Sequence, residues 1–230
     1  ETLYYLACHN SDSLVQKQAI VDAIYDEFTD QSVQRIDPES GTLDGVDMTY
    51  WSTTNPAPQP DCWQTTGLLE IGDGRCGAWA EFMKDILLVH GITSSVAVVD
   101  APTVQDTQKL QADVFSSLPN EGYQVIPIFF VSSWDLSDSN PFNPIDLPGV
   151  AGQGNSEPRA VFDNHAVVKY AGKYYDPSYG TKPVPVSKID WEDVSLDGFG
   201  AYVIGQESGN LYLWKERLDS KGTLESSINP

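Results

Sequence analysis

Apolar residues recur at helical spacing in two stretches of this chain. Leu14, Val15, Ala19, Ile20, Ala23, Ile24 and Phe28 share one face and predict a helix from Leu14 to about Phe28, with Ser13 as its N-cap. Cys76, Trp79, Ala80, Met83, Ile86, Leu87 and His90 form a second stripe, which Gly91 is placed to stop. Before the first helix, "TLYYLA" reads as a β-like start. Residues 37–62 are rich in Pro, Gly, Asp and Thr and read as loop, and 65–70 lead into the Cys76 helix. A strand follows at 92–99, a helical stretch at 103–118 and a second long strand at 123–134. Residues 135–160 read as a long loop. Two β-rich runs then flank Ala171-Gly172, a hairpin signal, and late strands fall at 201–205 and 211–218. The tail beyond is expected to fray. Helices come first and mostly antiparallel strands afterwards, which is the order of an α+β fold. One domain is expected, with a helical part over 1–90 and a β-rich part over 92–218.

Charge narrows the partners. The chain carries 33 acidic against 13 basic residues, a net charge of −20. Such a surface repels nucleic acid and anionic membrane, so neither is expected as a partner. The longest apolar runs are too short to span a bilayer as a helix, so no membrane insertion is expected. The densest acidic stretch, "DLSDSNPFNPIDLPG" from Asp135 to Gly149, is the candidate for calcium. Its spacing matches no calcium loop, and a solvated acidic loop is the better reading. No other metal or cofactor is expected. The chain has no initiator Met and no signal-like N-terminus. It reads as a secreted or cell-surface product, processed or excised from a larger precursor.

The three cysteines are Cys8, Cys62 and Cys76. None forms a CxxC pair, which argues against structural zinc. If Cys8 pairs with Cys62, Cys76 is left as a free thiol; three unpaired thiols are the alternative. A thiol attacks only as thiolate, and an unassisted one has a pKa of about 8.5. A helix N-terminus and a histidine base both favour the thiolate, and Cys76 opens its helix.

Three histidines are available as the base. At ~1.5 Å rise per residue, His90 stands roughly 21 Å along the helix from Cys76 and cannot reach it. His9 lies near the N-terminus with only Asp12 to orient it. His165 opens the alternating run "HAVVKY". A two-residue turn at Ala171-Gly172 pairs Tyr170 with Lys173, Lys169 with Tyr174 and Val167 with Asp176. Asp176 is then diagonal to His165 on one face, roughly 7–8 Å away along the backbone and within side-chain reach. A three-residue loop would send Asp176 to the other face. Cys76, His165 and Asp176 thus form a candidate nucleophile, base and orienter.

These blocks resemble a known family. "GRCGAWAEFMKDILLVHGI" is similar to the G-x-C-x-x-[WFY]-A signature of the transglutaminase-like superfamily, a branch of the papain-like cysteine fold. "NHAVVKYAGKYYDPSYG" resembles its histidine and aspartate blocks, with the cysteine first in the chain. "LLEIGDGRCGAWA" is nearest to the peptide:N-glycanase form of the first block. Here, however, Ala78 replaces a glutamate, the cysteine-rich zinc module is absent, and a long stretch separates the first strand from His165. The substrate therefore does not transfer. The resemblance implies a single transglutaminase-like domain over 1–230, a nucleophile helix packed on an antiparallel sheet, and a loop insertion near 135–160. It also implies thiol attack on an amide through a thioester, on a peptide or protein. The family's second oxyanion donor is often a Trp or Gln side chain upstream of the nucleophile. Trp51, Trp63 and Gln64 are candidates, with Trp63 and Gln64 preferred.

A binding or structural module of a larger surface protein, using the same fold with a vestigial triad, is the alternative. A glycan binder is suggested only by the six tryptophans, which a core explains as well. Substrate, hydrolysis against transfer, and oligomeric state are open at this level.

Overall fold

The computed structural model describes residues 1–52, 64–100, 124–131, 150–156, 158, 161–162, 164–204, 211–216 and 224–227. The chain begins with helices α1 (Thr2–Cys8) and α2 (Lys17–Thr29), then strands β1 (Gln34–Ile36), β2 (Leu43–Asp47) and β3 (Thr49–Tyr50). Helix α3 (Thr65–Ile71) and the two-residue β4 (Asp73–Gly74) lead into α4 (Cys76–Val89). Strands β5 (Ser95–Asp100), β6 (Gln124–Val131), β7 (Val161–Phe162), β8 (Asn164–Tyr170) and β9 (Lys173–Tyr175) follow. Helix α5 (Lys188–Ser195) precedes β10 (Leu196–Ile204), β11 (Leu211–Glu216) and β12 (Leu224–Ser227). The fold is α+β, with two antiparallel four-stranded sheets ordered β12-β5-β8-β9 and β11-β10-β6-β7. Among the described residues, no helix is long and apolar enough to cross a membrane.

Helix α4 forms where the apolar stripe predicts. Trp79, Ala80, Phe82, Met83, Ile86 and Leu87 are all buried, and the helix packs on β8 and against α1, α2 and α3. His90 caps its C-terminus, with Nε2 2.7 Å from the Ala7 carbonyl and 3.1 Å from Ser11 Oγ. It is committed there, far from the thiol.

Four expectations need correction. "TLYYLA" is helical, not β: Thr2, Leu6 and Ala7 are buried at helical spacing, and α1 packs on α4, which overrides the strand preference of its tyrosines. Helix α2 starts at Lys17 with Gln16 as N-cap, not at Leu14. Ser11 to Leu14 form a turn closed by Leu14 N–H donating to the Ser11 carbonyl, and Val15 points to solvent at 86 % exposure. The 37–62 stretch is not all loop, since β2 pairs with β1 and β3 pairs in parallel with β4. The tail contributes β12, which covers the outer edge of β5 that would otherwise present unpaired backbone groups. The helix expected at 103–118, the candidate calcium stretch 135–149, Cys62 and Trp63 lie outside the described residues.

The β8–β9 hairpin has the register the sequence demands. Tyr170 pairs with Lys173, Lys169 with Tyr174 and Val168 with Tyr175. Ala171 and Gly172 both take positive φ, 49° and 82°, the signature of a two-residue type I′ turn whose twist matches the strands.

Beyond Asp176, the chain turns back at Gly180, where φ is +61° and a Cβ would stand 2.4 Å from the Phe28 carbonyl oxygen at the end of α2. Strain and overlap act together there. Gly180→Ala is expected to cost about 2 kcal/mol or more, read as a lowered urea midpoint with an unchanged slope.

Candidate active site

Three elements bring the candidate residues together. Cys76 is the first residue of α4 and is 2 % exposed. His165 lies on β8, opposite Val99 of β5, and is 1 % exposed. Asp176 follows the last residue of β9 and is 1 % exposed. His165 Nε2–H donates to Asp176 Oδ2 at 2.8 Å. The other carboxylate oxygen, Oδ1, accepts the backbone N–H groups of Ser178 at 3.1 Å and Tyr179 at 3.3 Å. Asp176 is therefore fixed on both sides, and the imidazole orientation is set by a carboxylate that cannot swing away.

With Nε2 engaged, Nδ1 is the ring atom left for the thiol. It is buried and has no hydrogen-bond partner among the described residues. Cys76 favours the charged form of the ring. Burial is the largest influence on His165 and opposes its protonation. The charge and hydrogen bond of Asp176, together with Cys76, outweigh it and lift the imidazole from 6.5 to about 10. The ring is an imidazolium at neutral pH.

An aromatic shell encloses this ring. Trp191 of α5 stacks on it at 6.0 Å and 14°, and Phe162, Tyr179 and Tyr50 stand at 5.8, 5.6 and 6.4 Å. Water is displaced by apolar faces, so the His165–Asp176 attraction acts at low local dielectric. Burial first, then nearby charges including Cys76 and Asp176, push the Tyr50 and Tyr179 hydroxyls well above 10, so both stay neutral donors. A cavity of about 190 Å³ reaches His165 and Asp176 from the side of Trp191, Lys182 and Ser195. Cys76 does not line it.

A buried polar plug supports the aspartate loop. Gln153 Nε2 donates to the carbonyls of Phe28 at 2.6 Å and Pro177 at 2.8 Å, tying α2 to the residue after Asp176. The Tyr50 and Gln153 backbones bond at 2.7 Å, and the Asn155 amide donates to the Tyr50 and Trp51 carbonyls. The segment thus joins β3 to the loop that holds Asp176.

At the other end of the site, Cys76 carries the first N–H of α4. The preceding Arg75 is the N-cap in extended conformation, and its side chain makes no capping bond. The first turn therefore offers its N–H groups to an incoming oxyanion. Of the preferred side-chain oxyanion donors, Gln64 is exposed at the start of α3, and Trp63 lies outside the described residues. Trp51 sits closer to the site, with its ring 5.6 Å from Phe162. Cys8 is a free, exposed thiol. His9 is turned outward, stacked on Tyr5 and 3.0 Å from Glu27. Among the described residues, no group of three or more His, Cys, Asp or Glu is placed to hold a metal ion.

The sequence reading missed Tyr50, Phe162, Tyr179, Trp191 and Gln153. Only Tyr179 carried a local signal, by standing three residues past Asp176 in "DPSYG".

Comparison with protein-family models, curated proteins and solved structures finds no match for this chain.

Proposed function

We propose that this protein is a cysteine-dependent amide hydrolase or acyltransferase of transglutaminase-like, papain-like architecture, acting on peptide or protein substrates. The observation that carries the reading is the buried 2.8 Å bond from His165 to Asp176, with Cys76, at a helix N-terminus, favouring the charged ring. In this reading the imidazolium holds Cys76 as thiolate. Sγ attacks the amide carbonyl carbon, and the carbonyl π electrons move onto oxygen, an oxyanion to which the N–H groups of the first turn of α4 donate hydrogen bonds. His165 passes its Nδ1 proton to the leaving nitrogen, the C–N bond breaks and a thioester remains. Water returns the acid, and an amine gives a new amide. In either case the neutral imidazole takes the incoming proton.

A second reading has its own support. Cys76 and His165 are almost wholly buried, as they would be in a binding module that keeps the fold and not the reaction. Intact-mass spectrometry separates the two. Incubation with an activated peptide ester is expected to leave one acyl group on Cys76, reversed by hydroxylamine and absent in Cys76→Ser. Acylation only at Cys8 would sink the enzyme reading.

A further inference from the structure

Two arginines have described guanidinium groups, and they are used differently. Arg35 donates to the Leu69 and Glu70 carbonyls and pairs with Asp44 at 3.4 Å. It ties β1 to α3. Arg75 precedes the candidate nucleophile and has no carboxylate or carbonyl partner among the described residues. Its Cζ stands 4.7 Å above the centroid of the Trp51 ring. Trp51 is held in turn by its backbone N–H donating to the Gly74 carbonyl at 3.0 Å, and by packing on Tyr50 and Phe162. Those two rings flank His165. The guanidinium therefore stands over the Trp51 ring, next to the aromatic side chains that flank His165.

Most cations among the described residues have a carboxylate partner. Acidic residues outnumber basic ones 33 to 13. Lys84, Lys173, Lys182 and Lys188 each lie within reach of a carboxylate, at 2.7, 3.7, 2.8 and 3.3 Å. Arg75 is half-buried and makes no capping bond, so neither the helix nor an ion pair accounts for it. A planar cation stacked on an aromatic face keeps its N–H edge free, in the geometry that grips a carboxylate with two parallel bonds.

We propose that Arg75 binds a carboxylate of the substrate, on the residue beside the scissile amide, and so selects acidic substrates. This assignment rests on Cys76 as the attacking group, and the test keeps the two claims apart. The probes are iodoacetate and iodoacetamide, which differ at a carboxylate against a neutral amide. Alkylation is read on the Cys76-bearing peptide by mass spectrometry, with the exposed Cys8 as internal reference. The iodoacetate-to-iodoacetamide rate ratio at Cys76 is expected to exceed that at Cys8. In Arg75→Gln it falls on the order of tenfold, while the iodoacetamide rate changes little. Arg75→Lys, which keeps the charge without the fork, gives an intermediate ratio.

Protection of Cys76 by N-acetylglutamate α-amide against N-acetylglutamine then tells a side-chain carboxylate from a terminal one. Stronger protection by either, or equal protection by both, supports the assignment; protection by neither counts against it. A ratio equal in wild type and Arg75→Gln overturns it. Failure of the triad shows differently, as an iodoacetamide rate at Cys76 that does not respond to loss of His165.

Discussion

His165→Ala slows alkylation of Cys76 by iodoacetamide at pH 6 by tenfold or more, and lowers kcat/KM on an amide substrate by about 10³-fold. The two figures come from separate roles of one ring. An unassisted thiol with a pKa near 8.5 is thiolate to only about one part in 300 at pH 6. The more basic thiolate that remains is a better nucleophile, which returns part of that loss and leaves roughly tenfold. Amide cleavage additionally needs a proton for the leaving nitrogen, and positioned proton transfer contributes about 10²–10⁴-fold. Alkylation does not need that proton, so it should suffer less than turnover. The variant opens a space among Trp191, Phe162, Tyr179 and Tyr50, so a melt or circular dichroism control accompanies it. His165→Asn, which fills more of the space, should show the same kinetic loss. An alkylation rate and pH dependence unchanged in both folded variants would remove His165 from the mechanism.

The parts of this site that could be read in the sequence are those with a local period. The α4 stripe follows the 3.6-residue repeat, which placed Cys76 at the helix start. The hairpin has a period of two and a glycine-bearing turn, so parity alone sent His165 and Asp176 to one face. What could not be read is assembled from distant segments. Tyr50, Phe162, Tyr179 and Trp191 meet around one imidazole although they come from β3, β7, the loop after β9 and α5. Gln153 looks like an ordinary loop residue between two glycines, yet it is fully buried and bonded to two backbone carbonyls. Polar composition signals a surface loop only when the backbone has no partner to bury it against. The same rule concealed β2, whose residues are mostly exposed and which exists because β1 offers a pairing edge. Helix α1 was misread for the converse reason, since tyrosines favour strands until a neighbouring helix takes up Leu6 and Ala7.

Asp176→Asn should move the alkaline limit of the reaction rather than merely weaken it. In the wild type the imidazole is raised from 6.5 to about 10, so its proton is held below that point and lost as pH rises through it. Burial opposes protonation, and Asp176 is the chief group that overcomes it. Without the carboxylate, burial acts against the remaining influence of Cys76 alone, and the limit falls by several units. The asparagine oxygen can still accept from the Ser178 and Tyr179 N–H groups, so the loop keeps its shape. Its amide then faces His165 Nε2 as a donor. That forces the ring to present Nε2 as acceptor and to carry its single proton on Nδ1, toward the thiol it should deprotonate. At pH 8 the expected loss in kcat/KM is about 10²-fold or more, with kcat falling more than KM rises. The same carboxylate sets stability. The raised imidazole contributes fully below pH 6.5, and its contribution is lost between there and about pH 10. Wild-type Tm should therefore decline across that window, and Asp176→Asn should be less stable at pH 6 and converge on wild type toward pH 10. Matching pH–rate profiles for the two proteins would show that Asp176 holds the fold and not the base.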